Sequence, residues 1–209
     1  MKLKTIGVVG AGIMGSGVAQ NLAQTGHNVI LMDISQAQLD SSKQEILKNI
    51  RLQTLFDKSK HKPNADQIMA SIIFTDDLRK LRDVQYLIEN VTEKWSIKNK
   101  VYQELDDLCP KEVIFASNTS AIPITRIGSA TSRPSKVIGV HFMNPVPLKK
   151  TVEMIISEFT SENTIEITKN LLTAMGKKYI LVNDSAGFVS NRVLMLTINE
   201  AIFLVQDQP

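Results

Sequence analysis

Gly10-Ala11-Gly12-Ile13-Met14-Gly15 lies directly behind an apolar, β-branched run, Thr5–Val9, and opens a stretch with helical spacing over residues 14–25. A G-x-G-x-x-G placed between a strand and a helix reads as a phosphate-binding turn. The first glycine makes the turn, the second lets backbone approach a pyrophosphate, and the third allows close helix packing. The helix N-terminus, at Ile13 and Met14, adds partial positive charge. Eighteen residues beyond Gly15, Asp33 ends the next apolar run, residues 29–32. A carboxylate there accepts both ribose hydroxyls of NAD and repels the 2′-phosphate of NADP. NAD is therefore the expected cofactor, held by Gly10, Gly12, Ile13, Met14, Gly15 and Asp33. The competing reading of Asp33 is a cap for the helix that follows it.

Working outward, residues 86–91, 113–116 and 137–140 read as further buried strands, and helical spacing recurs over 37–56 and 94–108. This alternation predicts an α/β fold: a Rossmann-like, doubly wound, mostly parallel sheet with helices on both faces. The polar segment 57–66, with Lys58, Lys60, His61, Lys62 and Pro63, closes a helical excursion before a short strand over 72–74. Its basic cluster reads either as a solvated loop or as a contact for a CoA phosphate or an acidic carrier protein. Beyond Pro147 come a strand over 152–156, a helix over 161–175 stopped by Gly176, a strand over 179–182 and an apolar helix over 188–205. The expected organisation is an NAD-binding domain over residues 1–186. Residues 187–209 are then a linking helix that begins a helical domain absent from this chain.

Composition removes several function classes. The 209 residues are 43% hydrophobic and 22% charged, ordinary values for a chain with a sizeable core. A net charge of +3 is too small to imply nucleic acid. Cys109 is the single cysteine, so no intrachain disulfide can form, and no Cys/His spacing suggests a structural metal. No apolar run reaches the roughly eighteen residues of a membrane helix. Glycines 7, 10, 12, 15 and 17 make a poor secretory helix of the N-terminus, so a cytoplasmic location is expected.

Four further motifs follow in order: Ser117-Asn118-Thr119-Ser120, then His141-Phe142-Met143-Asn144-Pro145-Val146-Pro147, then Val152-Glu153, then Gly187-Phe188-Val189-Ser190-Asn191-Arg192. With the glycine turn they resemble the 3-hydroxyacyl-CoA dehydrogenase family, from Lys4 to the end of the chain. The resemblance implies that His141 is the catalytic base and Glu153 its partner. It also implies that Ser120 and Asn191 hydrogen-bond the substrate oxygen, and that Asn118, Glu93, Lys98 and Asn144 lie at the cofactor. The chemistry is consistent with those roles. Alcohol oxidation needs a base that titrates near neutrality, and a carboxylate stabilises the imidazolium. Neutral groups such as Ser120 and Asn191 can follow an oxygen between its hydroxyl and ketone forms. Glu93 and Lys98 also read simply as a helix-end charge pair.

The expected reaction is NAD-dependent oxidation of a 3-hydroxyacyl thioester to the 3-ketoacyl thioester, or the reverse, carried on CoA or an acyl carrier protein. Lys149, Thr151 and Ser185-Ala186-Gly187 depart from the common family pattern and suggest a more polar pocket. A subgroup resembling this chain in its ENVTEKW (89–95) and HFMNPVP (141–147) stretches oxidises hydroxymalonyl groups on a carrier protein in polyketide extender-unit synthesis. Lys149 would then face the substrate carboxylate. A binding module without turnover is a third reading. The helix over 188–205, apolar at twelve of eighteen positions, needs cover on more than one face. The expectation is a homodimer, or a fragment of a longer dimeric protein.

Overall fold

A computed structural model describes residues 3–56 and 64–208. The cluster of Lys58, Lys60, His61 and Lys62 lies outside the described residues. The elements run β1 (Thr5–Val9), α1 (Ile13–Gln24), β2 (Asn28–Met32), α2 (Gln36–Phe56), α3 (Ala65–Ala70), β3 (Ile72–Thr75), β4 (Tyr86–Glu89), α4 (Trp95–Leu108) and β5 (Ile114–Ser117). There follow α5 (Ile124–Gly128), β6 (Val137–Phe142), β7 (Thr151–Ile156), α6 (Glu162–Ala174), β8 (Lys178–Asn183) and α7 (Ser190–Asp207). The strands form one sheet in the order β3-β2-β1-β4-β5-β6-β7-β8. As expected, it is Rossmann-like and mostly parallel.

Neighbouring strands are parallel except β6 and β7. The exception has a plain cause: only residues 143–150 separate those two strands, too few for the crossover a parallel pair requires. Between β7 and β8 the chain makes α6, and the pairing is parallel again. Along the central strands alternate side chains enter opposite layers. Ile6, Val8, Tyr86, Ile88, Ile114 and Ala116 join one apolar cluster, whereas Val9, Leu87 and Phe115 join the other. Both faces are therefore covered, which accounts for the unbroken apolar runs in these strands.

Several boundaries differ from the sequence reading. The strand expected over 86–91 ends at Glu89, whose carboxylate accepts the Val91 amide at 2.7 Å and turns the chain. The strand expected to stop at Val140 continues through Phe142, so His141 lies within it. The short helices α3 and α5 were not anticipated. At α5 the N-terminal amides of Ile124 and Thr125 are taken by Asp184, about sixty residues away, a cap that local sequence cannot reveal. The last helix begins at Ser190 rather than 188, because Gly187 and Phe188 both adopt positive φ, +73° and +52°. No residue of α7 is buried; Val193, Leu196 and Ile202 are each about 60% exposed or more. The helix does not fold back into the domain. Among the described residues no helix is long and apolar enough to cross a membrane.

Candidate active site

The strand order reverses direction between β1 and β4, and the glycine turn and Asn90 flank that switch point. The three glycines are needed for three different reasons. Gly10 has φ +93°, and a Cβ on it would lie 2.8 Å from the Asn90 carbonyl oxygen. A Cβ on Gly15 would lie 1.8 Å from the carbonyl oxygen of Gly10, so helix and turn touch there. Around Gly12 there is nothing within 4 Å, so that side of the turn is open for a ligand. Asp33 closes the far side: one carboxylate oxygen accepts the Ala11 amide at 2.7 Å and the other accepts the Ser35 amide at 2.9 Å. Gly10, Gly12, Asp33 and Asn90 line a cleft of about 440 Å³. Open space at Gly12, free amides at the start of α1 and a carboxylate at the end of β2 fit a dinucleotide with an unphosphorylated ribose. The Met14 side chain is partly buried against the core, whereas Ile13 is exposed.

The antiparallel pairing of β6 and β7 sets His141 directly opposite Glu153. Opposed residues share a face, and His141 Nδ1 meets Glu153 Oε2 at 2.7 Å with both side chains buried. The other oxygen of Glu153 accepts the amides of Val189 and Ser190 at 3.1 and 2.8 Å, and the Ser190 hydroxyl donates to Oε2 at 2.7 Å. Glu153 therefore caps α7 while it orients the imidazole. Burial works to raise its carboxyl, but the hydrogen bonds from His141 and Ser190 and the His141 charge prevail, holding it below the usual carboxylate range. Phe188 lies against the imidazole, with ring centroids 5.8 Å apart. Its left-handed backbone turns the chain so that Ser190 reaches Glu153.

On the opposite side of the ring, Nε2 lies 3.1 Å from the Ser120 hydroxyl. Ser120 is exposed, and its carbonyl accepts a hydrogen bond from Asn191 Nδ2 at 2.9 Å. Ser120, Asn191, Met195 and Leu196 line one hollow, which Ser120 links to the imidazole. Asn118 ties strand ends together, donating to Asn90 Oδ1 at 2.8 Å and accepting the Phe142 amide at 3.2 Å. Asn144, which precedes a cis peptide bond to Pro145, lines a separate hollow with Gly12 and Ile13.

Lys98 is fully buried, and its ammonium donates to both oxygens of Glu89 at 2.7 and 2.9 Å. Tyr102 and Ser117 donate to the same carboxylate at 3.0 and 2.8 Å. Glu89 and Ser117 stood in quoted motifs without an assigned role and Tyr102 was not marked at all; only the finished sheet brings the three together. Ser190 was present in the quoted motif, and its place at a helix entry was the signal that could have identified it. Lys149 is exposed, and its carbonyl is held by Lys177 at 2.8 Å, so its side chain has no visible link to the hollow beside His141.

A family model described as the NAD binding domain of 3-hydroxyacyl-CoA dehydrogenase matches residues 5–185. A probable 3-hydroxybutyryl-CoA dehydrogenase of Deinococcus radiodurans is 42% identical over 96% of this chain and 72% of its own length. The 3-hydroxybutyryl-CoA dehydrogenase of Clostridioides difficile is 39% identical over 97% of the chain and 72% of the relative. Among solved structures, an (S)-3-hydroxybutyryl-CoA dehydrogenase from Ralstonia eutropha superposes with a TM-score of 0.95 at 35% identity. That match covers 99% of this chain and 73% of the other.

Proposed function

Since the chain belongs to the 3-hydroxyacyl-CoA dehydrogenase family, we propose that it interconverts a short 3-hydroxyacyl-CoA and its 3-ketoacyl thioester, with His141 as the base. The observation that carries this reading is the line Glu153–His141–Ser120, with 2.7 and 3.1 Å contacts on the two ring nitrogens. Glu153 on Nδ1 leaves Nε2 free to take the C3 hydroxyl proton and balances the imidazolium that results. Ser120 and Asn191 hold the oxygen from the exposed side. When bound, the nicotinamide of NAD accepts the hydride from C3. Gly12, Ile13, Gly15 and Asp33 bind the dinucleotide, while Asn118 and Asn144 border the space toward its nicotinamide end. Residues 1–186 act as the cofactor domain, and residues 187–209 act as a connecting helix.

The test is oxidation of the reduced cofactor with acetoacetyl-CoA, followed at the NADH band. Turnover with NADH is expected, and NADH should bind at least about tenfold more tightly than NADPH, a gap of about 1.4 kcal/mol. Asp33→Ala should narrow that gap. Binding without turnover would leave only a nucleotide-binding module, and equal affinity for the two cofactors would overturn the role of Asp33. Repeating the assay with a carrier-protein thioester separates the two substrate carriers. For assembly, the uncovered apolar length of α7 supports association with a second copy. Light scattering should give a mass above the 23.2 kDa of one chain. A strict monomer at high concentration that binds no apolar dye would remove this reading.

A further inference from the structure

Among the described residues Glu153 accepts four hydrogen bonds, two on each oxygen. Oε1 takes the backbone amides of Val189 and Ser190 at 3.1 and 2.8 Å. Oε2 takes His141 Nδ1 and the Ser190 hydroxyl, both at 2.7 Å. The amides come with the backbone whatever residue stands at 190, so they hold the carboxylate without help from a side chain. The hydroxyl is an addition, and it falls on the oxygen that faces the imidazole.

We propose that Ser190 is a positioning residue that acts through Glu153: its hydroxyl draws charge from Oε2, weakens the hold of the carboxylate on the imidazolium, and so extends oxidation to lower pH than the bare pair would allow. The inference rests on the reading of His141 as base. An oxygen shared by two charge-assisted donors gives each less than it would give one alone. Burial works against the Glu153 charge, but the hydrogen bonds of His141 and of Ser190 hold the carboxyl below its usual range. An ionised carboxylate only accepts, so the Ser190 hydroxyl must donate to it. Uncharged groups face the pair from three sides: Ser120 from the turn after β5, Ile180 in register with Glu153 on β8, and Phe188 at the entry to α7. Two charged groups stand near Ser120. Glu93 accepts its amide at 3.0 Å, and Arg192 lines the same hollow. Among the described residues the only ion pair that either His141 or Glu153 makes is with the other. These charges are unchanged by a substitution at 190, so a comparison of variants isolates the hydroxyl.

The decisive experiment is the pH profile of kcat/KM for 3-hydroxybutyryl-CoA oxidation and for acetoacetyl-CoA reduction, in the parent, Ser190→Ala and Ser190→Thr. In Ser190→Ala the acidic limb of oxidation and the alkaline limb of reduction should both move to higher pH, because one group must be free in one direction and protonated in the other. At a pH on the oxidation limb kcat/KM should fall on the order of threefold, while the plateau and the NADH dissociation constant stay within about twofold. Ser190→Thr keeps a hydroxyl and should follow the parent. Proton NMR of the three histidine rings reads the same change without turnover. The His141 signal, identified by its loss in His141→Ala, should follow the displaced limbs. Superimposable profiles for Ser190→Ala and the parent would overturn the proposal. So would activity that falls at every pH with the limbs in place, or a threonine variant displaced as far as the alanine one. His141→Ala separates the two levels of inference. Full activity there defeats the base assignment, whereas an inactive His141→Ala beside unmoved Ser190→Ala limbs defeats only the role of Ser190.

Discussion

His141→Ala is expected to lower turnover a hundredfold or more while NADH affinity stays nearly unchanged, because a general base acts on the chemical step. Glu153→Gln should fall in the same range. It removes the charge that balances the imidazolium and leaves one acceptor oxygen where the carboxylate has two, so the contact with Nδ1 and the cap on α7 cannot both be kept. The double mutant should be little slower than the worse single mutant, since each loss breaks the same dyad. Simple addition of the two losses would argue against coupling. The pH dependence has a definite sign. Glu153 is depressed in the folded chain, so its contribution is present above the ordinary carboxylate range and is lost only as pH falls through the depressed value. Activity lost through Glu153 should therefore set in below the ordinary carboxylate range, and a loss centred above that range would contradict the arrangement.

Gly15→Ala and Gly12→Ala should part company sharply, although they are two positions of one motif. At Gly15 the new methyl meets a backbone carbonyl oxygen at 1.8 Å, which no rotamer change can relieve. The helix must move off the turn, at a cost of about 3 kcal/mol or more, and NADH binding should be lost with it. At Gly12 the methyl meets nothing within 4 Å, and the backbone there, φ −66° and ψ −174°, suits alanine. Stability should stay within about 1 kcal/mol of the parent, yet NADH should bind at least about tenfold more weakly, because the methyl fills the space a pyrophosphate needs. Thermal melts and NADH titration of the two variants decide the matter. Equal behaviour would mean that the turn does not approach a phosphate.

The sheet was legible because its central strands are covered on both faces and therefore stand out as apolar runs between helices of clear period. The glycine turn was legible because each of its constraints is local. What stayed hidden depends on contacts between distant residues. Asp184 caps α5 from the far end of the chain, and Glu89 pairs with Lys98 in the core. The hydrogen bonds of Glu93 to the Ser120 turn span 27 and 28 residues, a separation at which no helix or strand period operates. Spacing alone left Glu93 and Lys98 as a helix-end pair, and the resemblance placed both at the cofactor. In the folded chain Lys98 also reaches Glu93, 3.4 Å away.

The reversal between β6 and β7 has a consequence for how this enzyme tolerates changes in length. His141 and Glu153 meet because they occupy one rung of a hydrogen-bonded pair of strands, not because residues 143–150 have a particular number. Insertions in that connection can reshape the hollow around Asn144 while leaving His141 and Glu153 aligned. Loss of a single residue inside β6 ahead of His141 is a different event, since strand side chains alternate between faces and the imidazole would be carried to the wrong one. Variation in loop length can therefore alter the hollow around Asn144 without moving His141 off Glu153, and register in two six-residue strands is what keeps the two separate.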